Sequence, residues 1–366
     1  MSQPNPFTPA FGTAPAILAG RDELLQEMHD ALEQGRGNPN LSSILIGARG
    51  TGKTVCLSYI SEDAEENGWV AVSTSAIPGM LEDLYEQVLR KAQGFIKTHE
   101  GVRLTSLGIG PVSAGWEHGD WRAGNWRTRM SDVLDDLGDR DVGLLMTIDE
   151  VDASLDEMIA LASVYQHFVR EGRKVALVMA GLPGNVSALL SNKSVSFLRR
   201  AQQHRLARIS DADVADAMRR TIESAGKTID ERALSACIEA VDGFPYMLQL
   251  VGFRSWQAAQ GDARISLAAA RHGIAGARRD FESHVLASTY RELSPTDLLF
   301  VEAMHPDKRE SRLADIARRM GVTSRYASSY RARLQSAGVI EELARGIVCF
   351  SLPGFADYVA SRMPDE

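Results

Sequence analysis

The 366-residue chain contains little cysteine, little lysine and no long apolar run. Its three cysteines, Cys56, Cys237 and Cys349, stand far apart, with no Cys-x-x-Cys pair and no neighbouring histidine cluster. This spacing argues against a disulfide framework and a zinc site, and it fits a reducing compartment. No stretch approaches the roughly 20 apolar residues of a membrane span, and the first residues do not resemble a signal peptide. We therefore expect a cytoplasmic protein without a membrane partner.

An overall excess of positive charge is also missing. The chain has 40 basic and 48 acidic residues, so its net charge is −8. A protein of this charge is not a basic nucleic-acid coat, and any contact with DNA must be local to one module. Its length and its 44% hydrophobic share suit two or three globular domains.

Apolar strands alternate with amphipathic helices along the first 209 residues. The strand patterns are "LSSILIG", "WVAVSTSAI", "VGLLMTIDE" and "KVALVMAGL". Continuous apolar strands between helices predict a parallel sheet that is covered on both faces. The sequence therefore predicts an α/β domain over residues 16–209, preceded by an extended arm at 1–15.

Two further modules follow this domain. Residues 210–290 contain only helical patterns separated by Gly or Thr-Ile breaks, which predicts a small all-α lid. Residues 291–366 contain three short helices and two strand-like runs around Arg345. This pattern predicts a C-terminal winged helix, in which a helix-turn-helix is followed by a β-hairpin.

The stretch "GARGTGKT" carries the chemistry of the first domain. Its spacing of Gly47, Gly52, Lys53 and Thr54 is that of a P-loop, and it lies between a predicted strand and a predicted helix. Glycines let backbone N–H groups wrap phosphates, the lysine reaches the β and γ oxygens, and the threonine hydroxyl binds Mg²⁺. The predicted nucleotide-binding residues of the loop are Gly47, Ala48, Arg49, Gly50, Thr51, Gly52, Lys53, Thr54 and Val55.

The strand "LLMTIDE" supplies an acidic pair for the same site. Asp149 is the predicted second Mg²⁺ ligand, and Glu150 is placed to orient or deprotonate the attacking water. Two acids after a strand are common in plain loops, so the P-loop upstream is what makes this pair specific.

Several segments together resemble AAA+ ATPases of the origin-recognition and archaeal-initiator type, and the related signal-transducing (STAND) ATPases. They are "LAGRDELLQEMHDAL", "ILIGARGTGKT", "LLMTIDEVD", "VALVMAGLPG", "FLRRAQQHRL" and "GFPYMLQLVG". The likeness covers nearly the whole chain, from about residue 16 to residue 363. It implies an AAA+ core that binds ATP or ADP with Mg²⁺.

The resemblance also assigns residues outside the loop. It places Leu18 and Arg21 in the segment that lines the adenine pocket, and Pro245 in the lid motif that packs on the nucleotide. It places Arg199 and Arg200 in the helix that can supply an arginine to a neighbouring subunit's phosphate. Arg199 and Arg200 are explained equally well as an exposed pair on a helix, because 33 of the 40 basic residues of the chain are arginines.

Two departures from this family bear on catalysis. Where family members usually place a polar sensor, this chain has Ala180, Gly181 and Leu182, with no hydroxyl or amide before Asn185. The position of a second-sensor arginine is occupied by Tyr246. Each missing donor to the phosphoryl oxygens is typically worth about 3 kcal/mol in the transition state. We therefore predict that ATP hydrolysis is slow. The bound nucleotide then determines the conformational state of the protein and does not drive a motor.

A segment over residues 99–127 interrupts the predicted α/β domain. It contains Trp116, Trp121 and Trp126 and alternating residues around two glycines. Such a segment is typical of a projecting hairpin that touches DNA or a partner, and also of a hairpin packed on its own sheet.

The C-terminal module differs from the rest of the chain in charge. From 308 to 333 it has eight basic and two acidic residues, a local balance of +6. In its third helix we expect one face to be formed by Tyr326, Tyr330, Leu334 and Ala337. The residues left free on the other faces are Arg325, Ser328, Ser329, Arg331 and Arg333. Clustered positive charge on such helices favours contact with double-stranded DNA. The candidate DNA-binding residues are Ser324, Arg325 and Ser328 at the helix start, Arg331 and Arg333 for the backbone, and Arg345 on the wing.

These expectations combine into an ATP-binding, slowly hydrolysing AAA+ ATPase that acts as a nucleotide-controlled DNA-binding switch. An initiator, a loader and a transcriptional regulator all fit. The leading alternative is a STAND-type signalling ATPase whose winged helix contacts protein instead of DNA. Self-association is left open, and a metabolic kinase is disfavoured by the lid and the wing.

Overall fold

The computed structural model describes residues 4–10, 13–95, 123–307 and 310–363. A five-stranded parallel sheet, in the order β2-β3-β4-β1-β5, forms the centre of the first domain. Its strands are β1 Ser42–Ile46, β2 Val70–Ser75, β3 Leu144–Asp149, β4 Val175–Gly181 and β5 Gln202–Arg205. The predicted parallel α/β sheet is confirmed. The edge strand β5 was not predicted from the sequence, because "QQHR" has no apolar run to mark it.

Helices cover both faces of this sheet. The side chains of consecutive strand residues point to opposite faces, so Leu145 packs in one core while Leu144 and Met146 pack in the other. Helices α1 Asp22–Gln34 and α2 Lys53–Glu66 cover the first face. The second face is covered by α3 Met80–Lys91, α4 Ala123–Gly138, α5 Asp156–Arg170 and α6 Pro183–Ser191.

The predicted lid consists of four helices with one short pair of strands. The helices are α7 Asp211–Ser224, α8 Glu231–Val241, α9 Pro245–Ala258 and α10 Leu267–Phe281. The strands β6 Thr228–Ile229 and β7 Arg264–Ile265 pair in parallel, two residues each, so the lid is not purely helical as predicted. The strand β6 forms at the Thr-Ile break between α7 and α8, and β7 lies between α9 and α10.

The C-terminal domain contains the predicted three helices and two strands, and it adds further short elements. A π-helical turn, Glu282–Leu286, and α11 Ala287–Arg291 continue α10 towards it. Its helices are α12 Pro295–Met304, α13 Leu313–Arg319, α14 Ser324–Ser336 and α15 Phe355–Ala360. Its antiparallel sheet, in the order β8-β10-β9, consists of β8 Ser311–Arg312, β9 Ile340–Ala344 and β10 Ile347–Phe350. The domain boundaries at 209/210 and 290/291 stay predictions.

The lid and the C-terminal domain share one hydrophobic core. A single cluster of buried side chains runs from Val214 in α7 through Phe281 in α10 to Phe300 in α12 and Val359 in α15. Because no break separates the two modules in this cluster, we expect them to move together relative to the sheet domain.

The predicted N-terminal arm is anchored in the lid. Phe7 is only 2% exposed and packs so closely on Gly252 of α9 that no side chain fits there. Asn5 donates from Nδ2 to the Phe253 carbonyl at 3.0 Å, and the Tyr59 hydroxyl of α2 donates to the Pro15 carbonyl. The arm therefore connects the lid to the sheet domain.

Replacing Phe7 with alanine should destabilise the folded protein by about 3 to 5 kcal/mol, because the change leaves a cavity where a fully buried ring was. Chemical denaturation, followed by the circular dichroism of the mainly helical lid, measures this loss. Phe7→Leu retains most of the buried area and should cost clearly less. Equal stability of Phe7→Ala and the wild type would contradict the anchoring.

Most of the predicted insert at 99–127 lies outside the described residues, including Trp116 and Trp121. Its last residues belong to helix α4 instead. Trp126 is 3% exposed and donates from Nε1 to the Leu81 carbonyl at 2.7 Å, so it is part of the core and not of a projecting hairpin. In the described part of the chain, no helix is long and apolar enough to cross a membrane.

Candidate nucleotide-binding site

The P-loop connects the carboxyl end of β1 to the first residue of α2. Gly50 and Gly52 have φ angles of 77° and 89°, which side chains rarely adopt. A Cβ on Gly47 would collide with the Thr51 hydroxyl, and one on Gly50 would lie 2.6 Å from the Phe244 ring. The glycines of the motif are therefore required both by backbone conformation and by close approach.

Lys53 occupies the centre of the loop. Its Nζ donates to the carbonyl oxygens of Gly47 at 2.9 Å and Ala48 at 2.8 Å. Burial lowers the pKa of Lys53 to about 8, while the charges of Asp149 and Glu150 oppose that shift. At neutral pH most of the lysine is protonated, and its buried charge is poorly solvated. An anion in the loop would compensate this charge.

Thr54 and Asp149 meet at the mouth of the loop. The Thr54 Oγ1 donates to the Asp149 Oδ2 at 2.5 Å, and the Glu150 amide donates to the Asp149 Oδ1 at 2.8 Å. A hydroxyl and a carboxylate are the hard oxygen donors that Mg²⁺ prefers. The two predicted metal ligands, which are 95 residues apart in sequence, are thus brought together and fit this ion.

Glu150 has an unusual backbone conformation and an exposed side chain. Its φ angle is 53°, in the left-handed region that non-glycine residues seldom occupy. The turn lets the next residue, Val151, enter the core and donate its amide to the Ala180 carbonyl at 2.9 Å. Strained residues of this kind cluster at functional sites. The carboxylate is therefore held at the edge of the site and in contact with solvent.

Leu18 and Arg21 lie beside the loop. Leu18 is half-buried against the α1–α2 core. Arg21 is 8% exposed and donates to the carbonyl oxygens of Ala207 at 2.7 Å and Thr51 at 3.5 Å. Burial lowers the pKa of Arg21. In this arrangement Arg21 braces the P-loop against the segment that leads to the lid.

The first turn of α9 packs on the loop from the lid side. Pro245 is the first residue of that helix, and its Cβ lies 4.0 Å from the point where a Cβ on Gly52 would be. The Tyr246 amide donates to the Gly50 carbonyl at 3.4 Å. Phe244, which belongs to the same predicted lid motif, also contacts Gly50. The loop and the lid therefore touch directly.

No polar side chain replaces the absent sensor at the end of β4. A Cβ on Gly181 would lie 2.5 Å from Val151, so only glycine fits there. Asn185, the first amide after the strand, is exposed on α6. The predicted shortage of phosphate-facing donors at this position agrees with the packing.

Arg199 and Arg200 lie at the opposite end of the sheet from the P-loop. They end the 3-10 helix Lys193–Arg200, directly before β5, whereas the loop follows the carboxyl end of the neighbouring strand β1. The two ends of the sheet are separated by a strand length of about five residues, or roughly 15 Å. Both arginines are exposed, and Arg199 donates from Nε to the Leu190 carbonyl at 2.9 Å. Neither can reach the P-loop of its own chain.

The C-terminal domain rests on the P-loop. A Cβ on Gly338, just after α14, would lie 3.2 Å from the Ala48 Cα. Nearby, Ser336 packs closely on Gly184 of α6. Arg49 and Glu292 form an exposed ion pair at 2.8 Å, beside a cavity of about 180 Å³. The nucleotide-binding loop thus contacts the sheet domain, the lid and the C-terminal domain.

The candidate DNA-binding residues fall into two groups. Arg331 pairs with Glu342 at 2.8 Å, and Arg333 pairs with Asp297 at 2.5 Å, so the expectation that both are free is corrected. Their acidic partners come from α12 and β9, which the charge count over 308–333 did not include. The other group carries no ion pair among the described residues and consists of Ser324, Arg325, Ser328 and Arg345.

Tyr326 also differs from the expectation. It is 45% exposed, and its hydroxyl lies 2.9 Å from that of Tyr330. Ala327 and Leu334 face the core, because they are seven residues apart and lie on one side of the helix. The expected inward face is therefore right for Leu334 and wrong for Tyr326 and for Ala337, which is exposed.

Solved structures with the same architecture cover nearly the whole chain. The Walker-type ATPase of Pyrococcus abyssi is 13% identical with a TM-score of 0.66, over 94% of this chain and 96% of that one. The ORC2 protein of Aeropyrum pernix, in ADPNP and ADP complexes, is 13% identical with a TM-score of 0.61, over 96% and 95%. Cdc6p from Pyrobaculum aerophilum is 16% identical with a TM-score of 0.50, over 96% and 95%. The chain has the AAA+ P-loop fold.

Sequence comparison adds one match to a family model. Residues 283–359 match a family model described as a domain of unknown function (DUF8462). The match begins in the π-helical turn and ends in α15, so it covers most of the C-terminal domain. No curated protein matches the chain in sequence.

Proposed function

We propose that this protein is an ATP-binding, slowly hydrolysing ATPase that acts as a nucleotide-controlled DNA-binding switch of the initiator, loader or regulator kind. One observation carries the proposal: Ala48 and Arg49 of the P-loop contact the C-terminal domain at Gly338 and Glu292. Phosphates bound in the loop therefore act at the surface on which that domain rests.

The P-loop residues have distinct roles in this proposal. The amides of residues 47–54 and the Lys53 ammonium bind the phosphates of ATP or ADP, with the positive end of α2 behind them. Thr54 and Asp149 would hold Mg²⁺, which would neutralise charge on the phosphate oxygens. Leu18, Arg21 and Pro245 form the surroundings of the nucleotide, where Arg21 acts by positioning the loop.

Glu150 is the proposed base for hydrolysis. It takes a proton from water, the water oxygen bonds to the γ-phosphorus, and the bond from that phosphorus to the ADP oxygen breaks. The positions of the two usual sensors are occupied by Ala180 to Leu182 and by Tyr246. Because each absent donor costs about 3 kcal/mol of transition-state stabilisation, the chemical step is slow. A bound nucleotide then persists long enough to define a state.

The lid couples the nucleotide to the C-terminal domain. Phe244 and Tyr246 contact Gly50, and the lid shares its core with α12 and α15. Movement of the lid over the nucleotide would carry the C-terminal domain with it. The coupling is reciprocal, so DNA must change nucleotide affinity by the same factor.

We assign DNA contact to a winged helix formed by α12 to α14 and the β9–β10 hairpin. Ser324, Arg325 and Ser328 at the start of α14 are the proposed base-reading residues, and Arg345 on the hairpin is the proposed wing contact. Arg331 and Arg333 can contact DNA backbone only by exchanging their carboxylate partners, Glu342 and Asp297, for phosphates.

Fluorescence anisotropy of a labelled DNA duplex tests this function. We expect the full chain to bind with an affinity that falls by about 0.9 log units per log unit of salt for each phosphate neutralised. The affinity should differ between the ADP form and the form with a non-hydrolysable ATP analogue. Arg325→Ala should weaken binding, whereas Arg232→Ala, an exposed arginine on α8, should not.

A signalling ATPase of the STAND kind is the second candidate function. The ion pairs of Arg331 and Arg333 favour it, because they neutralise charge that a DNA-binding surface needs. In that case the C-terminal domain contacts a protein partner. Absence of duplex binding at modest salt, or binding that is equal in both nucleotide states, would reject the DNA switch and favour this candidate.

Arg199 and Arg200 enter the proposal only through a second copy of the chain. Their place at the amino end of β5 keeps them from their own nucleotide. In an assembly they would act on the phosphates of a neighbouring copy.

A further inference from the structure

The arginines of the helix-turn-helix are largely committed to internal ion pairs. Arg318 pairs with Asp315 at 2.8 Å and Arg319 with Asp307 at 2.6 Å, in addition to the pairs of Arg331 and Arg333. Four of the six described basic residues between 310 and 333 therefore already have a carboxylate partner. The positive charge expected on this surface is mostly neutralised, whereas arginines elsewhere in the described chain remain available to a ligand.

Three such arginines surround a cavity between the lid and the C-terminal domain. The cavity has a volume of about 750 Å³ and opens to solvent. Arg279 of α10, Arg291 of α11 and Arg362 after α15 are exposed at its rim. Within the part of the chain that the structure describes, none of them makes an ion pair, and Glu282 is the one acidic residue of the lining. The lining therefore carries a net charge of +2.

The floor of this cavity is built from packed aromatic rings. Tyr290 and Tyr358 lie edge to face with centroids 5.7 Å apart, and the Arg362 guanidinium stands 5.0 Å over the Tyr358 ring. Tyr358 is only 7% exposed. Because the rings are held by each other and by Arg362, they form a fixed surface that orders one of the three arginines.

The helix that carries two of the arginines is irregular at this cavity. The π-helical turn Glu282–Leu286 separates Arg279 from Arg291, and its Ser283 also lines the cavity. π-helical turns of this kind occur frequently at functional sites. Here the turn shifts the phase of the helix, so that side chains before and after it face the same cavity.

We propose that this cavity is a binding site for the phosphate backbone of duplex DNA, in which Arg279, Arg291 and Arg362 contact the phosphates. The inference rests on the proposed DNA-binding function and adds to it a contact outside the helix-turn-helix. Exposed guanidinium groups that lack carboxylate partners suit phosphate, to which arginine donates two parallel hydrogen bonds.

The limited accessibility of the aromatic ring faces favours duplex DNA over single-stranded DNA as the ligand of this cavity. Single-stranded nucleic acid is bound mainly by stacking its bases on accessible aromatic faces. Tyr358 is buried and its ring already lies under a guanidinium, so it offers no free face to a base. The remaining chemistry is positive charge, which recognises the backbone.

The test compares two triple variants of the full chain by anisotropy on a labelled duplex across salt concentrations. Replacing Arg279, Arg291 and Arg362 with alanine should make the slope of log affinity against log salt shallower by about 2.7, three times the value per phosphate. The control replaces three exposed arginines that have no ion pair among the described residues, namely Arg90, Arg140 and Arg232. It changes net charge equally and should leave the slope close to that of the wild type.

A third variant, with lysine at the three cavity positions, separates charge from packing. It keeps the charges and should keep the slope, while a role that depends on the planar guanidinium, such as its packing over the Tyr358 ring, would be lost. ATP binding by each variant, measured by calorimetry, checks that the sheet domain is intact.

Three outcomes overturn the inference in distinguishable ways. A wild type that binds no duplex removes both this site and the proposed DNA function. A wild type that binds DNA, with its salt slope unchanged in the alanine variant, removes the cavity site alone and leaves the function standing. Equal affinity for a single-stranded oligonucleotide of the same length would contradict the assignment to duplex DNA.

Discussion

Replacing Lys53 with methionine should weaken ATP binding about 100-fold. The buried ammonium now donates to the Gly47 and Ala48 carbonyls, and phosphates in the loop would take over these hydrogen bonds. A hydrogen bond to a charged group contributes about 1.5 to 3 kcal/mol, and about 1.4 kcal/mol corresponds to tenfold in affinity. Methionine has a similar unbranched side chain, one heavy atom shorter than lysine, and it carries neither the charge nor the donors. Isothermal titration calorimetry with ATP and Mg²⁺ measures the change.

The matched control for this prediction is Lys193→Met. Lys193 is exposed and has no partner among the described residues, so its replacement removes one charge far from the loop. It should bind ATP as the wild type does. If Lys53→Met bound ATP within a few-fold of the wild type, the loop would not be the phosphate site. If the wild type bound no ATP, the entire proposed function would fail.

The P-loop was predictable from sequence because its determinants are local. Gly50 and Gly52 are required by their own backbone angles and Gly47 by its contact with Thr51, and the strand before them is a plain apolar run. Asp149 required one further step, since the carboxyl ends of parallel strands meet at one edge of the sheet. The contact between Thr54 and Asp149 is the result of that topology.

The contacts that join the modules were not predictable in the same way. Phe7 looks like any residue of a Pro-rich arm, and nothing local indicates that its ring fills a space above Gly252 in the lid. Likewise, Gly338 ends a helix, a role that many glycines have, and its contact with Ala48 depends on how two domains pack. The contacts that would couple the P-loop to the C-terminal domain therefore depend on long-range packing.

The count of charged residues along the C-terminal domain overestimated the positive charge of its surface. The window 308–333 contains a strong excess of arginine, but Asp297, Asp307 and Glu342 stand outside it and fold back onto its guanidinium groups. A sequence window cannot include partners from neighbouring elements. A sequence window also misses the arginines at the lid junction that have no ion pair among the described residues, because Arg279 and Arg362 are 83 positions apart.

Replacing Glu150 with glutamine should slow ATP hydrolysis by about 100-fold or more while ATP affinity stays close to that of the wild type. General-base catalysis typically contributes about 100- to 10,000-fold, and the amide cannot accept the proton of the attacking water. The substitution keeps the shape of the side chain, and the left-handed backbone at this position is no less accessible to glutamine than to glutamate. Phosphate release under multiple-turnover conditions measures the rate, and calorimetry measures the affinity.

Glu66→Gln is the control, because Glu66 is an exposed carboxylate at the last turn of α2, away from the loop. It should hydrolyse ATP at the wild-type rate. The wild type itself should turn over below about 10 s⁻¹, the median of ordinary enzymes, since the usual polar first sensor and the second-sensor arginine are both absent. Faster turnover would show that other groups supply the missing donors. ATP hydrolysis would then drive movement, and the bound nucleotide would not define a long-lived conformational state. An unchanged rate in Glu150→Gln would mean that water is activated elsewhere, and the strained backbone at Glu150 would serve only to seat Val151 in the core.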